Sequence, residues 1–392
     1  VWFSHQPQYR TFANQFSTPF KMFRTTLALY VSTLLCPLAR STDRVVSPSG
    51  TYNTISCAIA ASSDGDRVLV SAGTYNEYVN ILRSISILPL EEGGRYNVLK
   101  DVRLVDANGA IVTIAGMRAN ELKILGTYSA RTELRILDSR FSTCNAVNPY
   151  FHTELYRDTI LSPVSISSGA VVGNTILAST IGGVTISGAT TLPDVVHVVG
   201  NFIQVTNWPR IVVNNDRTVH IQNNFLYGQP DNVGCILFNR AGDANGPGST
   251  VVNNTLYYTS YMAGAPGISI IGTAAHTLTI KNNTFINFAT AVQLGTTSVA
   301  ATQSNNVLAA PSWVDPATGR SLLGSPLIDA GDPDPRYFDL DLTTNDVGCY
   351  GGSNSRANFT TPMGSAVVGF MNAPRVVAQG ETVNISATGF DR

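Results

Sequence analysis

The chain has 392 residues and a formal net charge of −1, and only 13% of its residues are charged, against about 25% in ordinary globular proteins. Near-neutrality gives no support for a nucleic-acid or anionic-membrane partner, while the length leaves room for a large core and more than one domain. The apolar set is dominated by β-branched residues, and Gly, Asn, Ser and Thr abound, which favours strands and turns over helices.

In chain order, residues 1–21 precede the first methionine and read as upstream sequence outside the native protein. Residues 22–41 have the shape of a secretory signal: basic Met22-Phe23-Arg24, an apolar stretch from Leu27 to Leu38, and a small-x-small site at Ala39-Arg40-Ser41. That stretch is too short to span a bilayer, so no transmembrane segment is expected beyond the signal. Cys36 follows Leu35, where a lipoprotein signal needs a small residue, which disfavours a lipid anchor. Cys57, Cys144, Cys235 and Cys349 remain, widely spaced and without Cys-x-x-Cys, which argues against zinc. Export permits disulfides, and single buried thiols fit the spacing equally well.

Further along, an asparagine recurs inside a short apolar phrase six times. The phrases centre on Asn174, Asn201, Asn224, Asn254, Asn283 and Asn306, with steps of 27, 23, 30, 29 and 23 residues. Two residues later stand Ile176, Ile203, Leu226, Leu256, Phe285 and Leu308, apolar every time. Three residues earlier stand Val171, Val198, Ile221, Val251, Ile280 and Gln303. Four earlier stand Ala170, His197, His220, Thr250, Thr279 and Thr302, mostly polar. Alternation within a phrase is that of a half-buried strand, and repetition between phrases predicts a solenoid in which like residues stack. Asparagine tolerates the left-handed backbone of a sharp turn. Stacked amides supply donor and acceptor to one another, as in cross-β ladders.

These phrases resemble the right-handed parallel β-helix of the pectin-lyase-like superfamily. The stretches Ala58-Ile-Ala-Ala61, Asp64-Gly-Asp-Arg-Val-Leu-Val70 and Gly73-Thr-Tyr-Asn-Glu77-Tyr-Val-Asn-Ile81 are similar to its opening coils. The resemblance implies an all-β fold of about ten or eleven coils over 42–325. A short N-terminal helix would cap the first coil, and Glu77 would be structural. Next comes an Asp-rich segment, 326–358, similar to one that closes the helix in secreted bacterial relatives. Its Asp329, Asp332, Asp334, Asp339, Asp341 and Asp346 form either a calcium site, since hard cations take several oxygen ligands, or a run of turns in which Asp caps local amides. Residues 359–392 resemble the start of an immunoglobulin-like or polycystic-kidney-disease-type sandwich, with short strands at Ala366–Phe370, Arg375–Val377 and Glu381–Ala387. A full sandwich needs about seven strands.

The resemblance names polysaccharide lyases, pectinesterases and polygalacturonases as relatives. Their Gly-x-x-Asp-Phe-Ile-Phe-Gly, Gly-His-Gly and Arg-x-Pro-x-x-Arg signatures are absent, so no catalytic residue carries over. From the residues themselves, His197 and His220 share a column and are expected on neighbouring outward strands about 4.8 Å apart. They are either an acid–base pair or two polar members of a Thr/His column. Trp208, Arg210 and Arg217 lie in loops of the same coils, where an aromatic with two arginines grips an acidic sugar or plugs a turn. Tyr227 and Tyr257 share another column, as a sugar-stacking strip or as corner filling. Four Asn-x-Ser/Thr matches, at Asn253, Asn282, Asn358 and Asn384, read as incidental.

Two functions follow. The first is a secreted or bacterial cell-surface solenoid acting without catalysis as stalk, adhesin or carbohydrate-binding scaffold, with a polysaccharide or surface glycan as partner. The second is a lyase or hydrolase acting on an acidic polysaccharide from a site near His197, Arg210 and His220.

Overall fold

The computed structural model describes residues 41–179, 182–188, 194–206, 208–215, 217–240, 248–272, 276–295, 299–359, 366–373, 376–377, 379–383 and 385–391. The expected upstream segment, and the signal segment up to Arg40, lie outside them. The fold is a parallel β-solenoid of about ten three-sided coils. Its first face is a 12-stranded parallel sheet running from Asp43–Val46 to Val299–Ser304. Every coil then turns onto a second face and a third, each a parallel ladder of short strands. In one coil these are Val196–Val199, Phe202–Val205 and Ile211–Val213.

The sequence columns are physical stacks. His197 pairs in register with His220, Val198 with Ile221, and Ile203 with Leu226. Val171, Val198, Ile221, Val251 and Ile280 are fully buried, as are Ile176, Ile203, Leu226, Leu256 and Phe285. Leu308 is 52% exposed, because it belongs to the last coil and no further coil covers it.

The asparagine column is a hydrogen-bonded ladder. Asn174 N donates to Asn201 Oδ1 at 2.8 Å, Asn201 N to Asn224 Oδ1 at 3.0 Å, Asn224 N to Asn254 Oδ1 at 3.0 Å, Asn254 N to Asn283 Oδ1 at 2.9 Å and Asn283 N to Asn306 Oδ1 at 3.2 Å. Each Nδ2 also donates to a first-face carbonyl of the preceding coil, as Asn201 does to Val171 O at 2.8 Å. Buried amides are thereby satisfied, avoiding the several kcal/mol, about 2–7, that an unpaired one costs.

The left-handed backbone falls one residue earlier than the sequence implied. Gly116, Asp138, Arg157, Gly173, Gly200, Asn223, Asn253, Asn282 and Asn305 all have φ between 47° and 69°. They form a continuous outer corner between the first and second faces, immediately outside the ladder. The ladder residues themselves are held by their amides.

The predicted N-terminal helix spans Ile55–Ala61. Glu77 accepts from Ile55 N at 2.8 Å and Ser56 N at 2.9 Å, satisfying free amides of the first turn. Its role is structural, as the resemblance implied. Cys144, Cys235 and Cys349 are buried, Cys57 is exposed, and all four are unpaired thiols. Among the described residues, no helix is long and apolar enough to cross a membrane.

Residues 314–359 do not sit over the last coil. They run back along the side of the solenoid as a strap. Val314, Leu327, Val347 and Cys349 bury outward-facing Phe225, Tyr257, Ile286 and Ala309. The corner asparagines hold the strap's backbone: Asn282 Oδ1 accepts from Asp332 N at 2.8 Å, Asn305 Nδ2 donates to Ala330 O at 3.2 Å, and Asn223 Nδ2 donates to Cys349 O at 3.3 Å. Sequon residues Asn253 and Asn282 are buried under it. The strap ends on Gly173 and Gly200, where any Cβ would strike Phe359, at 2.8 Å and 2.1 Å respectively. Beyond it, Ala366–Asn372 and Ser386–Asp391 form an antiparallel hairpin. It lies on the first face, with Phe370 against His197. The strand expected at Glu381–Ala387 runs instead over Ser386–Asp391, and of the one expected at Arg375–Val377, Val376 and Val377 form no strand while Arg375 lies outside the described residues.

Candidate functional site

His197 and His220 stack on adjacent first-face strands, with ring centroids 5.3 Å apart. His220 Nδ1 lies 2.8 Å from Thr250 Oγ1, and Phe370 closes over His197 at 5.2 Å. Burial disfavours the charged imidazole. It holds His220 below the ordinary range and pushes His197 down to about 4, the neighbouring ring adding to the effect. Both are neutral at pH 7, and His197 lies under the hairpin.

The same column continues through Ala170, Glu154 and Arg135, where an ion network lies that the sequence reading missed. His152 Nδ1 is 2.8 Å from Asp194 Oδ2, and its Nε2 is 3.3 Å from Glu154 Oε1. Arg131 holds Asp194 at 2.7 Å, while Arg135 reaches Glu133 at 2.7 Å and Glu154 at 3.2 Å. Burial opposes the imidazolium of His152, but the Glu154 hydrogen bond and the charges of Glu154 and Asp194 outweigh it and raise its pKa. The hairpin reaches here too, Thr388 Oγ1 donating to Glu154 at 3.4 Å.

The loop residues separate. Arg210 is fully buried. Its guanidinium donates to Trp208 O at 3.0 Å, Val205 O at 3.1 Å, Tyr227 O at 3.3 Å and Asp231 Oδ2 at 3.1 Å, and lies 4.7 Å from the Tyr258 ring. Every arm is spent inside the protein, so Arg210 pins a turn and reaches neither sugar nor substrate. Trp208, half exposed, occupies the turn between the second and third faces. Arg217 occupies the next corner, between the third face and the first. The expected aromatic–arginine clamp is therefore not assembled. Tyr227 and Tyr257 stack at 5.6 Å, and the strap packs on them, so this column is corner filling.

The aspartates of the strap spend their oxygens locally. Asp346 accepts from Asp329 N at 2.9 Å, Asp339 from Asp346 N at 3.1 Å, and Asp341 from the Thr343 hydroxyl at 2.7 Å. Asp332 pairs with Lys281 at 2.6 Å and Asp334 with Arg336 at 2.6 Å. Burial pushes Asp339 up to about 6. Among the described residues, no three His, Cys, Asp or Glu gather as metal ligands would. As placed, these carboxylates do not converge on one point as the six to eight oxygens around a calcium ion do.

What the fold leaves open is the corner track on the earlier coils. Three cavities there share walls. The first, about 50 Å³, is lined by Pro89, Gly94, Arg95, Gly116 and Asp138. Arg95 and Asp138 also line the second, about 160 Å³, with Arg118, Arg140, Arg157 and Thr159. Arg157 in turn borders the third, about 330 Å³, between strap and hairpin, with Asn354, Asn358, Phe359 and Phe370. Together they make a groove along the solenoid axis. Its continuation over Asn223, Asn253 and Asn282 is the part that the strap fills.

No family model matches the chain, and no curated protein matches it. Among solved structures, it is similar to the crystal structure of pectate lyase Pel9A at 15% identity and a TM-score of 0.41, covering 79% of this chain and 96% of that one.

Proposed function

We propose that this chain is an exported, cell-surface or secreted solenoid that binds polysaccharide lengthwise along the corner groove without cleaving it. The observation that carries the reading is the continuity of the groove from Arg95 to Phe359, through cavities that share lining residues. Amides from Asn354 and Asn358 beside the rings of Phe359 and Phe370 are the polar-plus-aromatic chemistry that sugars require. The strap supports the reading, because the same corner already holds one extended polymer, the chain itself. Calorimetric titration of the full chain with a panel of soluble polysaccharides tests it. Binding weakened at least tenfold in Asn358→Ala or Arg157→Gln is expected, and unaltered binding in both moves the site elsewhere.

One observation favours a polysaccharide lyase or hydrolase as second reading: on the first face His197 stacks on His220, and two strands earlier His152 meets Glu154 and Asp194, the latter from the turn before the His197 strand. Proton abstraction beside a uronate carboxylate needs such a base with a cation near it. Absorbance of unsaturated uronates, measured with pectin, alginate and glycosaminoglycans, tests for a lyase. Reducing-end release tests for a hydrolase. Turnover abolished by Glu154→Gln would replace the binding reading with this one.

A further inference from the structure

The middle of the groove is built of like charges. Arg118 and Arg140 are register partners on adjacent second-face strands, with Asn97 before them and Thr159 after. Such partners stand about 4.8 Å apart, and like charges directly opposite destabilise a sheet. Arg95 and Arg157 close the same cavity of about 160 Å³. Arg157 is taken by Asp138, through Nε at 3.0 Å and Nη2 at 3.1 Å. Arg95, Arg118 and Arg140 make no ion pair among the described residues. Four guanidiniums thus face one carboxylate, in a chain whose residues are only 13% charged.

We propose that Arg95, Arg118, Arg140 and Arg157 form a subsite for a sulfate ester carried by the bound polysaccharide. This rests on the groove reading and names the ligand's chemistry. A carboxylate offers two coplanar oxygens, matched by a single guanidinium fork. An ester sulfate offers three oxygens in a cone. It accepts from the forks of Arg118 and Arg140 together, while a third oxygen faces Arg95 or Arg157. Both anions carry one negative charge, so the difference is geometric: the tetrahedral one bridges two stacked arginines where the planar one engages a single fork. The sugar backbone continues along the track to Phe359.

The test uses the full chain. Chondroitin sulfate, its chemically desulfated counterpart, polygalacturonate and double-stranded DNA are titrated at several salt concentrations. The expected result is binding to the sulfated chain at least tenfold tighter than to the other three. Arg118→Gln with Arg140→Gln should abolish that preference and flatten the salt dependence, while Arg336→Gln, on the strap, changes neither. Without ligand the double variant should melt no lower than the parent, since a repulsion has been removed. Tightest binding to polygalacturonate, or equal binding to DNA, overturns the sulfate assignment, as does a preference unchanged in the double variant. Glycan binding without sulfate preference, still lost in Asn358→Ala, would leave the groove standing and remove only the sulfate subsite. Loss of all glycan binding removes both.

Discussion

Asn174 was the earliest rung the sequence revealed, yet the ladder begins before it. Asp158 N donates to Asn174 Oδ1 at 2.8 Å, Ser139 N to Asp158 Oδ1 at 2.8 Å, and Met117 N to the Ser139 hydroxyl at 3.2 Å. These rungs were illegible because the hydrogen-bonding role persists while the residue type changes. Asp158 is fully buried, and burial pushes its carboxyl up to about 8. Its Oδ2 has no partner while ionised. Protonated, it can donate as an asparagine Nδ2 does, the ladder rule pointing it at Ile136 O. The folded pKa lies above the unfolded one, so the folded state binds the extra proton. The stability this group contributes is greatest below about pH 4 and is lost as pH rises toward 8, by up to about 1.4 kcal/mol per unit within that window. Asp158→Asn should remove this loss and raise the melting temperature at pH 8 more than at pH 5. A parallel shift at both pH values would mean that Asp158 is already neutral or already compensated. His197 has the opposite sign. Its folded pKa of about 4 lies below the unfolded value, so its contribution is intact above about pH 6.5 and is lost on acidification toward 4. His197→Gln should flatten the acid limb of the stability–pH curve.

At the scale of elements, solenoid and columns were legible because repetition writes the same residue choice many times over. The strap was not, because its partners looked like something else. Asn253 and Asn282 match glycosylation sequons, yet both are buried under the strap, and Asn282 holds Asp332 fifty residues further on. Gly173 and Gly200 stand at the corner just before its asparagines begin, for a reason visible only in three dimensions, the ring of Phe359. Gly200→Ala combines a positive φ with that clash and should cost about 1–3 kcal/mol by denaturant titration. Gly93→Ala has a positive φ and open space, so it should cost less. The aspartates of the strap are capping groups and ion pairs, so chelator and added calcium should both leave the melting temperature unchanged. A rise of several degrees with calcium would show that the carboxylates can regroup around the ion.

Across the whole molecule, the site was only half legible. The histidine column was readable from the asparagine alignment, but Glu154 and Arg135 extend it into coils that carry no asparagine to align. The pairing of Arg118 with Arg140 depends on a 22-residue coil length that no motif marks. Register therefore decides which side chains meet, and register is a property of the assembled stack.

The strap has a last consequence. A bare solenoid offers its corner without limit, one coil after another. Here the chain has laid its own backbone into the far half of that corner and ended it with a phenyl ring. The solenoid thereby becomes a ruler. The open track from Arg95 to Arg157 crosses three coil-to-coil steps, about 14 Å at about 4.8 Å per step. Affinity should climb with oligosaccharide length until that span is filled and then level off, at a length set by where Phe359 stands.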